Sequence, residues 1–85
     1  MSQHEKLLAK LLVLSKSFTF EEAETLLNYY SYYKDNKGKT SGSRVAFVHR
    51  FNKSKIILHK PHPRKELLEY QMKQLIEQLQ QEGII

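Results

Sequence analysis

Cysteine is absent from this 85-residue chain, which excludes disulfides, thiolate metal sites and a cysteine nucleophile together. Aspartate occurs once, at Asp35, so a serine, histidine and aspartate relay has no support. No apolar run exceeds four residues, too few for a membrane span or a signal-peptide core. A soluble protein of the reducing cytoplasm is the expectation. A chain this short buries only roughly 60 to 65% of its unfolded surface, so residues 1–85 are expected to form a single domain. Glycine occurs three times: Gly38 and Gly42 fall in one loop-like stretch, and Gly83 lies near the end.

What the chain has in excess is positive charge, and that charge is localised. The net charge is +5, yet residues 34–65 hold ten Lys and Arg against Asp35 alone. The flanks are slightly acidic, with three basic and four acidic side chains in 1–33 and one against four in 66–85. A basic centre between acidic amphipathic flanks predicts one positive face built from the middle of the chain, which fits either an ordinary solvated surface or a nucleic-acid footprint.

Apolar spacing gives the element order. Leu7, Leu8, Leu11, Leu12 and Leu14 stand opposite Glu5, Lys6 and Lys10, predicting a helix over 4–15. Thr19 followed by Glu22 is a capping box, with Phe18 and Ala23 placed as a staple and a second helix beginning at Phe20. Of Tyr29, Tyr30, Tyr32 and Tyr33, two are expected to finish that helix's buried face and two to start a short strand over 32–36. Stacking on bases is the competing reading. Residues 35–42 read as a loop. Residues 43–50 alternate, with Ser43, Val45, Phe47 and His49 on one face and Arg44, Ala46, Val48 and Arg50 on the other. A turn around Asn52 and a partner strand over 55–59 complete a hairpin. Pro61 and Pro63 end the sheet, and a last helix is predicted over 64–82, with Pro63 in its first turn, Leu68, Met72, Leu75, Ile76 and Leu79 as its stripe and Gly83 as its terminator. No internal repeat or low-complexity segment is visible. The order α-α-β-β-β-α predicts an α+β fold: a three-stranded antiparallel sheet with helices on one face and the other face open to receive Arg44, Arg50 and His59.

Gly38-Lys-Thr-Ser-Gly-Ser-Arg-Val-Ala-Phe, then Ile56-Ile-Leu-His-Lys-Pro-His-Pro, then Glu66-Leu-Leu-Glu-Tyr-Gln with Gln74-Leu-Ile-Glu and Gly83-Ile-Ile, resemble the HicA toxin family over about residues 20–85. The resemblance implies a double-stranded-RNA-binding-like fold and a ribonuclease toxin that cuts mRNA and is silenced by a HicB-type antitoxin, with oligomers expected only in that complex. It leaves residues 1–17 as an amino-terminal helical extension. The family's usual run is Gly-Ser-His, with the histidine catalytic; here it is Gly42-Ser43-Arg44.

RNA cleavage without metal needs a base for the 2′-hydroxyl proton, an acid for the leaving oxygen, and cations for the charge on phosphorus. Arginine can serve only the last role. The candidate catalytic residues are therefore Arg44, His59 at the end of the third strand, and Ser43. His49 is expected to be partly buried, and His62, before Pro63, to hold a turn. His59 and His62 have Pro61 between them and no carboxylate or cysteine beside them, so neither a metal nor any cofactor is implied. Lys37, Lys39, Arg44, Arg50, Lys53, Lys55 and Lys60 border the open face as RNA-binding residues. Three readings fit: a nuclease toxin, a non-catalytic RNA-binding module of the same fold, and a protein-interaction domain whose basic face binds an acidic partner.

Overall fold

The computed structural model describes residues 3–35, 44–61 and 63–85. Its elements run α1 (Gln3–Leu12), α2 (Phe20–Tyr29), β1 (Tyr32–Asp35), β2 (Arg44–His49), β3 (Lys55–His59) and α3 (Glu69–Gln81). The strands form one antiparallel sheet in the order β1-β2-β3, which is the α+β arrangement predicted from periodicity.

One face of the sheet carries the core. Tyr32 of β1, Phe47 of β2, and Ile56 and Leu58 of β3 are buried there against Leu7 and Leu11 of α1, Phe20, Ala23, Leu26 and Leu27 of α2, and Met72, Leu75 and Leu79 of α3. Because strand side chains alternate, burying Phe47 with its partner Ile56 sends Ala46, Val48 and Ile57 to the other face.

The capping box at α2 is complete. Thr19 Oγ1 accepts from Glu22 N at 3.1 Å, and Glu22 Oε1 accepts from Thr19 N at 3.0 Å. Lys10 of α1 donates to both carboxylate oxygens of the same Glu22, at 2.9 and 2.8 Å, so one side chain caps α2 and ties α1 to it. Burial opposes ionisation of Glu22, but the Lys10 hydrogen bond, the Thr19 backbone donor and the Lys10 charge outweigh it and hold the carboxyl below its ordinary value of 4.5. A depressed carboxylate contributes stability that is present above the unfolded value and lost as pH falls through the folded one. Thermal stability should therefore decline on acidification below about pH 4.5, and Glu22→Gln should flatten that decline. Thr19→Ala should lower stability by about 1 kcal/mol. Thermal unfolding followed by circular dichroism across pH reads both effects.

Three helix boundaries carry physical detail. α1 stops three residues earlier than the apolar spacing predicts, because Leu14 turns left-handed (φ 55). Ser15 N then reaches Lys10 O and Leu14 N reaches Leu11 O, a Schellman closure in which leucine takes the place usually held by glycine. The Leu14 side chain packs against the core, offsetting that backbone strain. At the other end of the chain Gly83 (φ 72) closes α3 as predicted, with Ile84 N bonded to Leu79 O.

The start of α3 differs most from the prediction. The helix begins at Glu69 rather than near residue 64, and Pro63 is not in its first turn. Residues 65–67 instead run extended beside 18–20: Phe20 N donates to Lys65 O, Leu67 N donates to Phe18 O, and Thr19 bridges Glu66. Those bonds place Leu67 in the core, and Leu68, predicted as part of the buried stripe, is left exposed as the residue before the helix. Gln71 fills the vacated inner position; its Oε1 accepts from Leu68 N and its Nε2 donates to the carbonyl of His59.

Candidate functional site

The register of the hairpin sets the geometry. Arg44, first in β2, lies directly across from His59, last in β3, and directly opposed residues share a face with Cβ atoms roughly 4.5–5.5 Å apart. Alternation puts that face opposite to Phe47 and Ile56, on the open side, and both residues are exposed. Two residues proposed for one chemistry from positions 15 apart in sequence are thus neighbours. Gln71 fixes the backbone beneath His59 from α3.

Among the described residues, Arg50, Lys53 and Lys55 do not gather at this point. Lys55 pairs with Val48 on the open face, Arg50 follows β2 with its N–H bonded to Ser31 O, and Lys53 sits in the turn; all three are exposed. The hairpin therefore carries Arg44, His59 and Lys60 at one end and Arg50, Lys53 and Lys55 at the other, separated by roughly 15 Å of strand at ~3.3 Å per residue. Between them the open face is apolar, with Tyr33, Ala46, Val48 and Ile57, and Asp35 stands opposite Ala46. Three ion pairs are formed among the described residues: Lys10–Glu22, Lys34–Glu24 and Lys73–Glu69. None involves the cations of the open face. Ser43, Lys37, Lys39 and His62 lie outside the described residues.

His49 has a different role. It is on the core face, only 9% exposed, edge-on to the Tyr32 ring at 5.0 Å. Its Nδ1 accepts from Phe51 N and Asn52 N at 3.2 and 3.3 Å, so this ring organises the β2–β3 turn in the tautomer with its proton on Nε2. His49→Ala should cost about 1–3 kcal/mol of stability by leaving those donors unpaired, with function preserved at temperatures where the fold persists. A melting curve paired with an activity assay checks both halves.

Tyr32 and Tyr33 start β1 as predicted, whereas of the two tyrosines expected on the buried face of α2 only Tyr30 is partly buried. Tyr32 is core and Tyr30 half-buried, while Tyr29 is exposed and stacked on His4 with ring centroids 3.6 Å apart. Tyr33 is on the open face.

One grouping of residues was not apparent from the sequence. Thr19, Phe20 and Glu21 at the start of α2 and Lys60, Pro61, Pro63, Arg64 and Lys65 after β3 line a cavity of about 250 Å³. Placing Arg64 and Lys65 in a helix concealed it; the Pro-x-Pro spacing, which favours extended backbone, was the available signal.

A three-stranded antiparallel sheet with its helices on one face and cations at both ends of the other defines a small α+β class of protein that presents a basic sheet surface. A family model described as the HicA toxin of bacterial toxin-antitoxin systems matches residues 20–81. The chain belongs to that family, and it is a toxin of a toxin-antitoxin pair. No curated protein and no solved structure matches it. The match begins at the first residue of α2 and leaves α1 outside.

Proposed function

We propose that the protein is an mRNA-cleaving toxin whose reaction centre is the cross-strand pair Arg44 and His59, acting in the cytoplasm and silenced by a HicB-type antitoxin that covers the open face. The observation that carries this reading is the register itself, which sets an imidazole and a guanidinium side by side on an exposed surface. Cleavage proceeds by attack of the ribose 2′-oxygen on the adjacent phosphorus as its proton leaves. The bond to the 5′-oxygen breaks, leaving a 2′,3′-cyclic phosphate and a free 5′-hydroxyl. His59 takes the 2′-proton, the role an imidazole fills near neutral pH, and on this exposed surface the departing 5′-oxygen takes its proton from solvent water. Arg44 holds the nonbridging oxygens through its fork of donors as negative charge builds on them. Arginine in place of the family's usual histidine thus keeps phosphate binding at position 44, while proton transfer falls to the strand opposite.

Arg50, Lys53 and Lys55 at the far end of the hairpin serve as a second contact with the RNA backbone, and Ser43, Lys37 and Lys39 belong to the segment leading into Arg44. The reading is tested by fluorescence anisotropy with a nuclease-resistant single-stranded RNA across a salt series. Log affinity should fall linearly with log salt, at roughly 0.7 per phosphate contact, and removing Lys53 and Lys55 together should reduce that slope by about 1 to 2. A flat salt response would contradict it.

A further inference from the structure

The cavity between the start of α2 and the segment after β3 has a composition that the cleavage pair does not explain. Its lining includes the apolar, stiff Pro61 and Pro63 and the largely buried Phe20. Its lining also includes three cations, Lys60, Arg64 and Lys65, against one acid, Glu21. Lys60 Nζ stands 6.0 Å from the Phe20 ring centroid, the outer limit of a cation–π contact. The volume, about 250 Å³, is below the usual range of small-molecule pockets, roughly 300–1,000 Å³. It suits one planar ring system with a charged group left outside.

We propose that this cavity is a base-binding subsite for single-stranded RNA, taking one nucleobase against Phe20, Pro61 and Pro63 while Lys60, Arg64 and Lys65 hold its flanking phosphate. The inference rests on the RNA-cleaving reading above and extends it from the reaction centre to the form of the substrate. Lys60 comes directly after the end of β3, and its ammonium lies 6.0 Å from the ring of Phe20 on the helix side of the sheet, so an RNA strand lying across His59 would turn round the end of β3 to reach the cavity. Only an unpaired nucleotide can be splayed out in this way; a base within a duplex stays stacked. The subsite therefore selects single strands, and its contacts with a ring face tolerate sequence.

The test uses the full chain and a 2′-O-methyl pentanucleotide, which cannot be cleaved, together with versions lacking one base at each position in turn. Affinity should fall on the order of tenfold at one position and little at the others. Glu21→Trp should abolish that difference by filling the cavity, and because it removes a negative charge, any loss of affinity cannot be electrostatic. Amide shifts of Glu21 and Lys65 in the unsubstituted protein, present with the intact oligonucleotide and absent with the critical base-free one, give the same answer should Glu21→Trp fail to fold. Binding that depends on Arg44 but is equally tolerant of base loss everywhere would overturn the subsite alone. No RNA binding at all, or shifts at these amides only with an antitoxin, would overturn the subsite, and the former would take the RNA-cleaving reading with it.

Discussion

Alanine at position 59 is expected to abolish growth arrest on induction in a bacterial host and to slow RNA cleavage by roughly 100- to 10,000-fold, the usual contribution of a positioned proton-transfer group. Arg44→Ala should cost about 100- to 1,000-fold, as loss of a charge-stabilising donor does. Lysine at 44 should recover only part of this, because an ammonium cannot make the two parallel bonds of a guanidinium. Both side chains are exposed, so neither substitution should move stability by more than about 0.5 kcal/mol, and a melting curve separates lost chemistry from lost fold. RNA binding should survive in His59→Ala and weaken in Arg44→Ala. A His59→Ala protein that still arrests growth would remove histidine from the mechanism.

The second large effect concerns α1. Leu7 and Leu11 are buried in the core shared with α2 and α3, and Lys10 holds the capping glutamate of α2. Leu11→Ala should cost about 2–5 kcal/mol. Small domains have roughly 5–15 kcal/mol in total, so deleting residues 1–17, which removes both leucines and Lys10 together, should abolish cooperative unfolding. Thermal denaturation of residues 18–85 measures this directly; a sharp transition near that of the full chain would make α1 an appendage. Because the family match begins at residue 20, we propose that α1 completes the core of this member.

Much of the fold was legible because local signals agreed with the tertiary ones. Thr19 and Glu22 specify the start of α2 by a spacing that only a capping box explains, and the alternation from Arg44 to His49 fixes which side chains face outward. The beginning of α3 was misread for the opposite reason. Pro63 is suited to a helix start, yet backbone pairing of residues 65–67 with 18–20, a long-range contact with no local trace, holds that segment extended. The same contact opens the cavity beside Lys60. Arg44 and His59 were each legible as functional candidates, but their adjacency depends on the hairpin register, and the register depends on the four-residue turn that His49 organises. The split of the basic residues between the two ends of the hairpin follows from that register too; total charge gave no sign of it.

The most direct test of the central claim is to map RNA ends in a bacterial host after brief induction of the unsubstituted chain, Arg44→Ala and His59→Ala. The cross-strand site predicts new ends bearing 5′-hydroxyls, within single-stranded stretches of mRNA, in the first strain and neither of the others. Intact mRNA in all three, or the same new ends in all three, would contradict it.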